Sequence, residues 1–286
     1  MSRVAVIGPG RAGTLLASAC ARAGHRVVAV GGGSQASRAR LCEQVAGVRN
    51  EARPADAARR GELVLLCVPD DALEDVVTHL VLEEALGEGQ RAVHLAGSQG
   101  LAPLRRARLA GARVAALHPA MTIPAGAHDP EVLVGAAWAL TAAPDDVGWA
   151  RQLIGDLGGD AHEVPDSART LYHAGLVVGA NAVGAVVSIA RRLLLAARVD
   201  APEAFLGPLV EASVANVLRD GAKALTGPVV RGDAGTVKAH LDELSRDLPE
   251  LADPYRALAV IVLSQIRAGL DPGVADELTA LLEEER

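Results

Sequence analysis

The chain has 286 residues, half of them hydrophobic and 22% charged, with a net charge of -7. That length holds two domains or one large one, and the balance of apolar and charged residues marks a globular chain with a sizeable core. The acidic balance and the lack of a long basic run argue against nucleic acid or an anionic membrane surface as partner, leaving a small organic molecule as the expected ligand.

Val4 to Ile7 is a short apolar run, followed at once by Gly8-Pro9-Gly10-Arg11-Ala12-Gly13 and a helical pattern from Thr14 to Arg22. Strand, glycine turn and helix N-terminus in this order suit a pyrophosphate. Gly8 permits the turn, Gly10 lets the backbone approach the phosphates, and Gly13 lets helix pack on strand. Pro9, Arg11 and Ala12 complete this expected dinucleotide-binding loop, Arg11 reaching a phosphate or standing in solvent. His25 to Val30 reads as the second strand. At its end, where an acid would bind the ribose hydroxyls of NAD, stands Gly31-Gly32-Gly33-Ser34-Gln35-Ala36-Ser37-Arg38, with no carboxylate. Ser34 and Arg38 suit a 2′-phosphate, so NADP is the expected cofactor; Arg38 and Arg40 on a solvated helix face is the alternative.

Further strand-like runs at Leu63 to Val68, Arg91 to Leu95, Arg113 to Leu117 and Ala136 to Leu140, with helical patterns between several, make a doubly wound α/β half. A last extended segment spans 160 to 165, with Asp166 or Ser167 as a candidate N-cap. Beyond it the pattern is helical over roughly 167 to 198, 202 to 220, 233 to 246, 252 to 269 and 273 to 284. The reading is a cofactor domain over 1–165 and an all-α domain over 166–286. A helix of about 32 residues would span about 48 Å. Apolar nearly all round from Gly175 to Val186, it reads as buried on several sides, with a second subunit as a candidate partner; that apolar stretch itself is too short and too polar-flanked to span a membrane. The chain opens directly in a strand, without a leader pattern, so a cytoplasmic location is expected. Cys20, Cys42 and Cys67 are too scattered for a disulfide framework or a metal site.

Ligands in such a sheet bind beyond the carboxyl ends of the strands. Val68 and Pro69 would line the nicotinamide ribose there, while Asp70 and Asp71 begin the next helix. Ser98 follows one strand, and His118 and Thr122 follow another. His118 is a candidate proton donor or acceptor, with a backbone hydrogen bond as its alternative role, and His94 reads as structural. On the long helix Tyr172, His173 and Asn181 are polar exceptions able to share one face toward substrate. The turn Leu225 to Asp233 offers Arg231 to an anion, or is an interhelical turn in which Asp233 caps the next helix.

Gly8 to Gly13, Val93 to Ser98, Leu117-His118-Pro119, Tyr172-His173-Ala174, Asn181 and above all Leu225-Thr226-Gly227-Pro228-Val229-Val230-Arg231-Gly232-Asp233 resemble the Rossmann-like proteins that carry a DUF2520 domain. The resemblance implies an NADP-binding Rossmann domain followed by a helical domain of the 6-phosphogluconate-dehydrogenase-like type that commonly forms homodimers. It also implies oxidoreductase activity, with ketopantoate reductases among the relatives. Two departures are visible: Val177, not lysine, stands four residues before Asn181, and Ala96 replaces an expected serine. The expectation is an NADPH-dependent reductase of a small 2-oxo acid, with ketopantoate the leading candidate. His118, His173 and Asn181 would act at the carbonyl, with Thr122, Tyr172 and Arg231 binding substrate. Hydride exchange with a deazaflavin and a non-catalytic NADP-binding regulator are the alternatives.

Overall fold

The computed structural model describes residues 1–123 and 129–283. They divide into two compact units, Met1–Asn181 and Ala182–Arg286. The division falls inside the long helix, later in the chain than the change of pattern near 166.

The first unit is built on one eight-stranded sheet in the order β3-β2-β1-β4-β5-β6-β7-β8. The strands are β1 (Arg3–Ile7), β2 (Arg26–Gly31), β3 (Arg49–Glu51), β4 (Leu63–Leu66), β5 (Arg91–His94), β6 (Arg113–Pro119), β7 (Ala137–Ala142) and β8 (Asp160–Glu163). Helices α1 (Arg11–Arg22), α2 (Gln35–Gln44), α3 (Pro54–Ala58), α4 (Leu73–Leu82), α5 (Arg105–Leu109) and α6 (Pro144–Asp156) lie between them. β1, β2 and β4 are apolar past their first residues because helices cover both faces of a parallel sheet, and two separate clusters result. One gathers Val4, Val6, Leu15, Leu65 and Trp138; the other gathers Ile7, Val64, Leu66, Leu73 and Leu104.

β3 was not foreseen: three polar residues carry no apolar alternation, and the strand sits at a sheet edge. The sheet is not parallel throughout. β7 runs antiparallel to β6, and β8 runs parallel to β7 after the crossover through α6.

The long helix starts with α7 (Arg169–Leu176), passes through a π-helical segment at Val177–Ala182, and continues as α8 (Val183–Ala196). Its expected N-cap at Asp166 or Ser167 is not used; both lie in a 3-10 turn and Ala168 precedes the helix. Within the single chain no residue from Gly175 to Val186 is buried. With a mean hydropathy of 1.6, the whole helix Asp166–Ala196 is long and apolar enough to cross a membrane by length and composition, where the expectation weighed only the shorter stretch from Gly175 to Val186 and its polar flanks.

In the second unit α9 (Pro202–Asp220), α10 (Ala234–Asp247), α11 (Pro249–Ile266) and α12 (Pro272–Glu283) fall where the pattern placed them, although residue 284 of the last lies outside the described residues. Prolines at the first positions of α9, α11 and α12 mark their starts, because a first-turn residue needs no donated hydrogen bond. Val237, Leu241, Ala259, Leu263 and Leu278 form its core.

Candidate active site

The glycine turn lies at the carboxyl end of β1, beside β4, where the order of the sheet reverses. Gly8 has φ +93°, and a Cβ there would meet the Cys67 carbonyl oxygen at 2.6 Å. Gly13 is tighter still, since its Cβ would stand 2.2 Å from the Gly8 oxygen. At Gly10 a Cβ would meet nothing within 4 Å, so the space in front of this backbone is open. Neither α1 nor α2 carries an acidic residue in its first turn, whereas α4 has Glu74 and Asp75 and α6 has Asp145 and Asp146. An acid would stabilise a helix start. Its absence from these two leaves their positive ends for a ligand anion, and three glycines with an open central position fit a pyrophosphate.

Around this turn the structure places the other expected cofactor residues with mixed results. Val68 and Pro9 pack on it, against Gly8 and the Gly33 loop respectively. Pro69 leads into a 3-10 turn at Asp70–Ala72. Arg11 donates to the Ile123 carbonyl, 3.3 Å away. Ser34 caps α2, accepting from the Ser37 amide. Arg38 is buried, so the solvated-face alternative is excluded: Nε donates to Asn50 Oδ1 and Nη1 to the carbonyls of Gly32 and Gly33. Its guanidinium fixes the shape of the glycine loop after β2. Arg40 is exposed.

The other expected site residues gather farther along the same edge of the sheet. His118, at the end of β6, shares a hydrogen bond of 2.9 Å between Nδ1 and the Tyr172 hydroxyl and stands edge-on to both Tyr172 and His173. A Cβ on Gly97 would lie 2.4 Å from His173 and 2.9 Å from His118 Nε2, so only glycine lets the loop after β5 touch both imidazoles. Ser98 follows in the bend, half-buried. A cavity of about 480 Å³ opens here, with His118, Thr122, His173 and Asn181 as its polar groups among Met121, Leu176, Val177, Gly179 and Ala180. A smaller cavity shares His118 and Met121 and reaches Ala12 of the glycine turn. Tyr172, His173 and Asn181 thus join His118 and Thr122, and Asn181 sits in the π-helical segment, whose wider turn displaces side chains from ordinary helical phase. Arg231 belongs to the second unit. It lies exposed on the turn before α10, where Asp233 accepts from the Thr236 amide and hydroxyl as a cap.

One residue at this centre, Arg169, went unnoticed in the sequence, and another, Asp166, was read there only as a helix cap. Arg169, only 1% exposed, donates to Thr141 Oγ1 at 2.8 Å and to the carbonyls of Ala96, Ala116 and Ala139, tying together the ends of β5, β6 and β7. Its guanidinium lies 5.9 Å from the Tyr172 ring centroid. Asp166 reaches the Leu101 amide at 2.6 Å, and a Cβ on Gly100 would collide with it. A cation or an acid at the start of a helix is an ordinary surface pattern, which is why neither stood out.

Electrostatics set the charge state of His118. Burial, reinforced by the charges of Arg169, His173 and His94, lowers His118 to about 4, so it is neutral near pH 7. His94 is lowered to about 4, chiefly by burial; Nδ1 accepts from the Ala96 amide and Nε2 faces the Gly100 carbonyl, a structural role as expected. Burial raises Asp70, with the His173 charge opposing it.

Residues 1–119 match the Rossmann-like domain family and residues 136–261 match DUF2520, a domain of unknown function. The chain is a Rossmann-like and DUF2520 domain-containing protein. No curated protein matches it. Among solved structures, the DUF2520 protein resembles a candidate NADP oxidoreductase of Bacteroides fragilis at 21% identity and TM-score 0.77, covering 91% of this chain and 97% of that one. An imine reductase of Myxococcus stipitatus in complex with NADP+ is 18% identical at TM-score 0.69 (97% and 99% covered). A reductive aminase of Aspergillus terreus with NADPH and ethyl levulinate is 18% identical at 0.67 (98% and 99% covered). At these identities the likeness is one of fold.

Proposed function

We propose that this DUF2520 protein is an NADPH-dependent reductase of a small carbonyl or imine compound. The observation that carries the reading is the shared sheet edge: a glycine turn fitted to a pyrophosphate, and a cavity holding His118, His173 and Asn181 reached from it through Ala12 and Met121. NADP binding by the structural neighbours and the acid-free loop after β2 favour NADP over NAD. Gly8, Gly10 and Gly13 would hold the pyrophosphate, Ser34 and the N-terminus of α2 would face the 2′-phosphate, and Val68, Pro69 and Ser98 would flank the ribose. NADPH supplies the hydride when bound.

Within the cavity His118 is kept neutral chiefly by burial and oriented by Tyr172, so it serves as a hydrogen-bonding group for the substrate heteroatom. His173, edge-on to His118 in the same cavity, is the candidate proton donor, and Asn181 orients the substrate. The cavity walls carry no arginine or lysine among the described residues, an arrangement suited to an uncharged or iminium substrate. A 2-oxo acid such as ketopantoate needs a cation from elsewhere, for which Arg231 is the candidate. Following NADPH absorbance with ketopantoate, other 2-oxo acids and cyclic imines tests the reading. Saturable turnover falling at least a hundredfold in His173→Ala or Asn181→Ala, with NADPH affinity kept, is expected. Tight NADPH binding without turnover of any of these would overturn it in favour of a regulatory protein or deazaflavin exchange.

We also infer that the protein is a homodimer joined through its helical domain. Val183 and Val186 of α8, Phe205, Leu209 and Leu218 of α9, and Ile261 of α11 are exposed in the single chain, and apolar surface of this extent is ordinarily covered. Sedimentation equilibrium should give twice the chain mass, and Phe205→Glu with Leu209→Glu, one helical turn apart, should give single chains. A monomeric wild type, or one that pellets with lipid vesicles, would refute the dimer.

A further inference from the structure

Away from the glycine turn, the amino ends of β1, β2 and β3 and the end of α3 surround a cleft of about 360 Å³ lined by Arg3, Arg26, Val28, Gly47, Arg49, Arg59 and Arg60. Every ionisable group in its wall is an arginine, in a chain whose net charge is -7. The placement follows from the backbone. Arg3 and Arg26 are register partners in neighbouring parallel strands, so two guanidinium stems start side by side. The register then slips between Val4 and Ala5, making Val28 an extra residue, and such a bulge re-aims the side chains around it. Gly47, with φ +77°, brings bare backbone to the rim.

The hydrogen bonding leaves donors for a ligand. Glu62 takes Nε of Arg3, and Glu51 takes Nε of Arg60; among the described residues the terminal nitrogens of both have no protein partner. Arg59 is held by Asp56 and Glu83. The side chains of Arg26 and Arg49 have no hydrogen bond or ion pair to a described residue. Three guanidinium groups are therefore steadied by acids outside the wall and two are unneutralised. Like charges gathered this way repel, and a multivalent anion relieves the repulsion while accepting the forked N–H pairs that match phosphate oxygens.

We infer that this cleft is a polyphosphate site, accepting an inorganic polyphosphate or the phosphate tail of a nucleotide. It stands apart from the glycine turn at the other end of β1, roughly 17 Å along a five-residue strand at about 3.3 Å per residue. It does not rest on the proposed reductase activity.

Calorimetric titration of the whole protein with sodium tripolyphosphate at 0.15 M salt tests it, with ATP as a second titrant. One saturable site per chain is expected, weakened at least tenfold in Arg26→Gln/Arg49→Gln. The same pair changed to lysine should recover part of the loss, because charge without the fork is retained. Both positions are exposed and unpartnered, so the melting temperature should stay within 2 °C or so of wild type, as for typical surface changes. Exposed Arg108→Gln and the glycine-turn variant Gly10→Ala should leave the affinity unchanged. ATP binding with the same arginine dependence would mark a nucleotide as the source, and its exclusion an inorganic chain; both outcomes support the site. Absence of saturable binding, an equal loss in Arg108→Gln, or a loss in Gly10→Ala would overturn it.

Discussion

Gly10→Ala is expected to fold like the wild type and to bind NADPH at least tenfold more weakly, whereas Gly13→Ala should lose stability as well. The contrast comes from what each new methyl group would meet. At residue 10 it enters open space, so the protein tolerates it; that space is where the pyrophosphate would lie, and the ligand does not tolerate it. At residue 13 the methyl would stand 2.2 Å from the Gly8 oxygen and 3.1 Å from the Cys67 Cβ, so α1 must move away from the turn. Overpacking of this kind costs about 1–3 kcal/mol. Thermal melts with NADPH titration by fluorescence separate the two effects. Undiminished NADPH affinity in Gly10→Ala would remove the pyrophosphate from this turn.

Arg169→Met should be the most disruptive single change near the cavity, lowering stability by roughly 3 kcal/mol. Methionine matches the apolar stem but leaves the carbonyls of Ala116 and Ala139 and the Thr141 hydroxyl without their donor, and stranded buried groups cost about 1–3 kcal/mol each before relaxation. The same change reports on His118. Burial is the first cause of its low pKa and the Arg169 charge the second, so removing the charge moves the imidazole back toward its ordinary value. The sign for stability follows from proton binding. Folded His94 and His118 titrate near 4 but near 6.5 when unfolded. The unfolded chain therefore binds more protons between these values, and stability present above pH 6.5 is lost as the pH falls toward 4. Each imidazole contributes about 1.4 kcal/mol per pH unit at most. Denaturant melts across this range should show the loss in wild type and a smaller one in Arg169→Met, and the His118 resonance should titrate at higher pH in the variant. An unmoved His118 titration would show that Arg169 does not set its charge.

Much of this molecule could be read from residue pattern because its elements are amphipathic or punctuated. Val4 to Ile7 before three spaced glycines, and helices begun by Pro202 and Pro272, left little choice of structure. The histidines were found because polar groups at strand ends and on an apolar helix need partners. Other features depend on contacts distant in sequence, which local pattern does not encode. β3 is three polar residues given meaning only by the neighbouring β2, and Arg38 turned inward because Asn50 and two glycine carbonyls receive it. Arg169 and Asp166 likewise reach partners at Ala116 and Leu101. The direction of β7 was hidden for a related reason: an apolar run reads the same whichever way its neighbour runs.

The two outermost strands of the sheet are short and charged. β3 is Arg49-Asn50-Glu51, and β8 is Asp160-Ala161-His162-Glu163 with three of its four residues exposed. An open sheet edge invites another chain to extend it, and brief, charged edges discourage that. Copies of this protein therefore meet little incentive to stack strand on strand into fibrils, even at high concentration. Growth into open-ended polymers is suppressed at both margins of the sheet.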